Sequence, residues 1–194
     1  CIRDRDELFS LAKKVKEEKL NWHKLGKRNF SLAEIFYTFA YSLNFFHRER
    51  KLPSYIPTSH ILGPVSPFSY FKRGFLVDIL TILNKSSQVF QNLEKRKVIP
   101  SYIRIKDKNI GPGTFLKAMA DTLTEINKKE NFSKNNLSLK IEMKPLDNYP
   151  EVLKEFKFSL TYKNTWLFPP SFEGKNIIEL AKLQTWTIKP AIRK

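Results

Sequence analysis

A chain of 194 residues with 41% hydrophobic and 13% aromatic content is long enough to bury a real core and too apolar for disorder. Its 35 Lys and Arg stand against 19 Asp and Glu, a formal net charge of +16, and no apolar run approaches the roughly 20 residues of a membrane span. One cysteine, Cys1, excludes an internal disulfide framework and a cysteine zinc site.

A field of that sign draws polyanions: nucleic acid, anionic lipid surfaces or acidic wall polymers. A lysine-rich solvated surface accounts for the same count, so both readings stay open on charge alone. A chain that begins on Cys fits a mature lipoprotein, whose signal segment is cut before a cysteine that carries lipid. Cys1 is accordingly a candidate lipidation site, with an extracytoplasmic, cell-surface location as its consequence. A simple boundary of the sequence at Cys1 is the bland alternative.

In chain order, Leu8, Leu11, Ala12 and Val15 recur at helical spacing between Asp4 and about Leu20. A basic linker holding Trp22 and His23 comes next. Ser31-Leu32-Ala33-Glu34 is a capping box, with Phe30 and Ile35 placed as a hydrophobic staple. The helix it opens carries Phe36, Phe39, Leu43 and Phe46 on one face and should stop near Arg50, ahead of Pro53. Residues 57–67, broken by prolines and Gly63, read as a loop. Ser66-Pro67 then reads as a cap opening a helix through Phe71, Phe75, Ile79, Ile82 and Leu83, interrupted at Ser86-Ser87.

The stretch Leu52-Pro53-Ser54-Tyr55-Ile56 returns as Ile99-Pro100-Ser101-Tyr102-Ile103, with the prolines 47 residues apart (100 against 53). Each copy comes after a basic helical run and precedes a Gly-Pro pair, Gly63-Pro64 or Gly111-Pro112. Such a period is what a duplicated supersecondary unit gives. Ile103-Arg104-Ile105-Lys106 alternates as a short strand before an Asp107-Lys108-Asn109 turn, and Gly111-Pro112 opens a helix with Phe115, Leu116, Met119, Leu123 and Ile126 inward.

Residues 128–138 are polar and Asn/Lys-rich, a surface loop. Leu137–Met143 and Phe156–Tyr162 alternate and are expected to pair as an antiparallel ribbon. An aromatic-proline cluster spans Trp166 to Phe172, a short helix Ile177 to Leu183, and an extended segment Gln184 to Pro190. The expected fold is therefore mainly α with a small β component: two helix–(Leu/Ile)-Pro-Ser-Tyr-Ile–loop–helix repeats, a C-terminal antiparallel ribbon and a short helix. Its regions are a basic helix and linker (1–30), a tandem helical repeat (31–130) and an α+β segment (131–194) packed on the repeats as one domain.

The repeated unit resembles the pseudomurein-binding repeat of methanogen cell-surface proteins, a helix, a Leu-Pro-x-x-Val/Ile step, a short loop, and a helix opening with Phe-Leu. The second copy carries the pattern more fully, from Phe90 to Ile103 and then from Phe115-Leu116 to Ile126-Asn127. The first runs from Phe46 to Ile56, with a longer loop and a following helix that opens Gly74-Phe75-Leu76. Roughly residues 33–128 are covered, and the last third has no counterpart. The resemblance implies a non-catalytic module that docks a protein onto a wall glycan or its peptide, with the motif residues structural.

Catalytic signatures are missing. His23, His47 and His60 lack metal-ligand spacing, no pair of acidic residues is positioned by sequence for glycoside hydrolysis, and no serine sits in a nucleophile elbow. No cofactor is expected. Aromatic and basic residues interleave around Trp166 to Lys175 and Trp186 to Arg193, where rings offer faces to sugars or bases and lysines meet anions. Core packing of Trp166 or Trp186 is the competing reading. Candidate ligand-binding residues are thus Tyr55, Tyr102, Trp166, Lys175, Trp186 and Lys189. Asn29, Asn84, Asn131 and Asn136 match the glycosylation acceptor pattern. The expectation is a cell-wall-binding surface module whose partner is an anionic or glycan polymer, with the membrane as a second partner through Cys1. A nucleic-acid-binding protein, and an accessory domain of a larger wall-active enzyme, are the alternatives.

Overall fold

The first periodic segment forms α1, Arg5–Glu17, which buries Leu8, Leu11, Ala12 and Val15 along one stripe. The computed structural model describes residues 5–57, 59–68, 70–129, 137–155 and 175–191. The basic linker around Trp22 and His23 proves to be a hairpin: β1, His23–Leu25, pairs antiparallel with β2, Arg28–Phe30. Gly26 makes the turn possible, with φ +56° in the left-handed region that glycine enters without a Cβ clash. Neither His-Lys-Leu nor Arg-Asn-Phe has an apolar residue on both sides of a polar one, so no alternation marks these strands.

Helix α2, Leu32–Glu49, starts as its capping box dictates. The Ser31 N–H donates to Glu34 Oε2 at 2.8 Å, and Ser31 Oγ accepts from the Glu34 N–H at 3.3 Å. The helix stops at Arg50, in the left-handed conformation, whose N–H returns to the Phe46 carbonyl at 2.9 Å. The helix expected from Ser66-Pro67 does not start there. The Ser66 hydroxyl is spent on Ser101 Oγ at 2.8 Å, and Phe75–Asp78 is a strand, β3. Helix α3, Ile79–Arg96, begins where a cap is available: Asp78 Oδ1 accepts the Thr81 N–H at 2.7 Å. It passes through Ser86 and Ser87 unbroken, with Ser86 buried, and ends at Lys97, again left-handed.

Strands β4, Ile103–Ile105, and β5, Lys108–Ile110, form a second hairpin, and α4, Pro112–Lys128, begins after Gly111. Strand β6, Lys140–Met143, pairs antiparallel with β3, from Phe75 against Met143 to Asp78 against Lys140. The partner expected for it, 156–162, lies outside the described residues. Helix α5, Lys175–Gln184, leads into a 3-10 turn over Thr185–Thr187. The fold is mainly α with a small β component.

Two internal offsets organise this arrangement. Helices α2 and α3 match end for end at an offset of 47 (79 against 32, 96 against 49), and each runs through a left-handed cap into its Leu/Ile-Pro-Ser-Tyr-Ile copy. The motif is therefore a helix stop in both places. Beyond it the two paths diverge: Ile103 opens a hairpin, whereas Ile56 enters an irregular loop. Gly63-Pro64 opens no helix either. It docks against the end of α5, where Gln184 Oε1 accepts the Gly63 N–H at 2.9 Å and Gln184 Nε2 donates to the Pro64 carbonyl at 3.1 Å.

The second offset is 80 (103 against 23, 110 against 30) and relates hairpin β1–β2 with α2 to hairpin β4–β5 with α4. The chain is thus helix–hairpin–helix twice over. Packing crosses between the units, since α1 lies on α4 and α3 on α2, while α2 meets α4 in the middle. The crossing is visible in Lys16 paired with Asp121 at 2.7 Å, and in the Phe90 ring against Tyr37 and Tyr41 at 5.8 and 5.4 Å. Lys117 of α4 donates to the carbonyls of Lys16 and Glu18, closing the end of α1.

Candidate ligand-binding face

Hairpin β4–β5 presents two unlike faces. Ile103, Ile105 and Ile110 turn inward and are buried, so the alternating residues Tyr102, Arg104 and Asn109 turn outward. Tyr102 is 54% exposed, and Arg104 stands directly across the ladder from Asn109. An aromatic ring, a cation and an amide therefore share one exposed surface. No ion pair to Arg104 and no hydrogen bond to the Asn109 side chain occurs among the described residues.

The tip of this hairpin is clasped onto β3. The Lys108 ammonium lies 4.5 Å from the centre of the Phe75 ring, a cation–π contact, and Lys106 Nζ reaches toward the Leu76 carbonyl at 3.5 Å. Phe75 in turn meets Phe71 edge to face at 5.6 Å, and the bend between the two rings carries exposed Lys72 and Arg73. Beyond Phe71 runs a groove of about 320 Å³ lined by Tyr70, Phe71, Pro145, Leu146, Asp147 and Asn148. Nearby acids are already engaged: Asp78 faces Lys140 at 3.9 Å, and Glu142 faces Lys144 at 3.2 Å. Lys72, Arg73, Arg104, Lys106 and Lys108 accordingly make a predominantly cationic field, with Asp107 in the hairpin turn and Asp147 in the groove as its nearby acids outside ion pairs among the described residues.

A larger hollow of about 600 Å³ lies between α1, α4 and β6, and within its lining Lys16 pairs with Asp121 and Lys144 with Glu142. Burial lowers the pKa of both His23 and His47 and favours their neutral forms. No group of three His, Cys, Asp or Glu gathers among the described residues.

The residues singled out from sequence fall in different places. Tyr102 belongs to the outward face. Tyr55 is equally exposed, at 57%, yet no hairpin comes after it, so it lacks a cation and amide at matching positions. Trp186 is a correction: it is fully buried, edge to face with Phe36 at 6.1 Å, and its indole N–H donates to the Asn148 carbonyl at 3.0 Å. A ring locked in the core offers no face to a ligand. Lys189 is held by Glu34, at 2.6 and 2.8 Å from its two carboxylate oxygens. Cys1, Trp166 and the Lys175 side chain lie outside the described residues, as do Asn131 and Asn136.

Arg104 and Asn109 were not read as functional from the sequence, although the signal is there. Trp22-His23-Lys24 with Asn29 and Tyr102-Ile103-Arg104 with Asn109 repeat the aromatic, the cation and the amide at the offset of 80. No family model, curated protein or solved structure matches the chain. The chemistry of the face has to carry the functional reading.

Proposed function

We propose that the chain is a non-catalytic, extracytoplasmic cell-surface module that binds an anionic glycan polymer of the cell wall through the outer face of β4–β5. The observation that carries this reading is the exposed set Tyr102, Arg104 and Asn109 inside a predominantly cationic field. Each group has a job on such a polymer. The tyrosine ring covers an apolar sugar face, the guanidinium forks onto a carboxylate or phosphate, and the amide donates to a carbonyl or hydroxyl. The resemblance of the helix-stop copies to a wall-binding repeat points the same way, and the module then serves either alone or beside a wall-active catalytic domain.

Nucleic acid is the competing partner, favoured by the +16 charge and the exposed tyrosine. Pulldown with isolated cell wall, set beside a salt-titrated nucleic-acid shift assay, separates the two. Wall binding that survives molar salt, and falls about tenfold or more in Tyr102→Ala and Arg104→Ala, is expected. Wall binding that disappears with salt while nucleic acid is bound in proportion to charge would overturn the glycan reading.

A further inference from the structure

We infer that hairpin β1–β2 is a second binding face of the same kind, whose amide is occupied in this structure by the chain's own segment 188–191. The inference rests on the glycan reading of β4–β5 and extends it. At the offset of 80, Trp22 stands for Tyr102, Lys24 for Arg104 and Asn29 for Asn109, and the register repeats too: Lys24 pairs across the ladder with Asn29 as Arg104 does with Asn109. Local backbone geometry is shared as well, since the first turn residue is left-handed in both hairpins, Gly26 at φ 56° and Lys106 at φ 55°.

The two faces differ in what lies on them. Asn109 is exposed, whereas the Asn29 side-chain amide donates to the Pro190 carbonyl at 2.9 Å. The covering segment is fixed on its approach to Asn29. It leaves the core at buried Trp186, and Lys189 is pinned on Glu34 of α2 by two short contacts. Position 114, the counterpart of Glu34, is a threonine with no charge to pin such a segment. One unit is thus seen occupied and the other open.

The occupant also indicates what the face accepts. Pro190 supplies an amide carbonyl to Asn29, while exposed Lys24 and half-buried Trp22 remain to meet an anion and a ring face. A glycan carrying both N-acyl and carboxylate groups offers all three. With the segment displaced, one chain would hold two stretches of polymer, which raises avidity on a repetitive wall without new contacts.

Calorimetric titration with a hyaluronate octasaccharide, which bears N-acetyl and carboxylate groups, tests this at low salt. The full chain is expected to bind one oligosaccharide, and the chain ended at Ile188 to bind two, with Asn29→Ala in the shortened chain restoring one. Lys189→Glu keeps the full length, repels Glu34, and carries the same expectation of two. A stoichiometry of one in both altered chains would overturn the second face and leave the first intact. Loss of all binding in Arg104→Ala with Asn109→Ala on the full chain supports the first face, while retention there overturns the reading on which both rest.

Discussion

Asn148 does for α4 what Ser31 does for α2, from the far side of the chain. Gly111 occupies the cap position and has no side chain, so Asn148 Oδ1 accepts the N–H groups of Gly113 and Thr114 at 2.8 and 3.2 Å. The fit is mutually exclusive, because a Cβ on Gly111 would lie 2.3 Å from the Asn148 amide. Asn148 also fixes Trp186 through its carbonyl, tying the helix start to the core ring. Asn148→Ala should therefore lose about 1–2 kcal/mol, and Gly111→Ser should lose at least as much by collision. The double substitution places a local cap in the space vacated by the amide and should recover part of the loss. Urea unfolding of the three variants measures the coupling, and simple additivity would contradict this account.

At the scale of the element, the two hairpins solve one turn with different residues. Gly26 takes its positive φ without strain, and a Cβ there would meet nothing within 4 Å. Lys106 adopts the same region with a side chain, at a cost of about 1 kcal/mol. Lys106→Gly should then leave stability unchanged or raised by up to about 1 kcal/mol, although it removes the contact to the Leu76 carbonyl, while Gly26→Ala should lower it by about 1 kcal/mol. Thermal melts of the two variants check the opposite signs. Sequence periodicity marked every long helix because ten or more residues accumulate a face. It missed β1, β2, β3 and β5 because none of them alternates apolar with polar as Ile103-Arg104-Ile105 does, and it read Ser66 as a cap because its hydroxyl partner, Ser101, is remote in sequence.

At the scale of the whole molecule, stability comes from crossing rather than from each unit alone. The apolar stripe of α1 is covered by α4 and that of α3 by α2, so neither helix–hairpin–helix unit can bury its own first helix. Residues 1–57 made alone should be largely unstructured by circular dichroism, since isolated helices of this length are marginal without packing. Mixing that piece with the remainder of the chain should restore helical signal. A cooperatively melting isolated unit would show that the crossing is not required. The same crossing leaves two hairpins of equivalent chemistry on the molecule, and only one of them open.

What the amino-acid order settled by itself is local: the capping box at Ser31, the stops after Arg50 and Lys97, the helix start at Pro112 and the identity of most core residues. Each depends on neighbours within about one helical turn, where propensity and hydrogen bonding decide. Tertiary structure decided the rest. It took Trp186 out of solvent, gave Asn148 a cap to supply, paired β6 with β3, and set Arg104 beside Asn109 behind Tyr102. Those contacts join residues far apart along the chain or depend on a two-residue turn, and burial and hydrogen-bond satisfaction select them only once the helices have crossed.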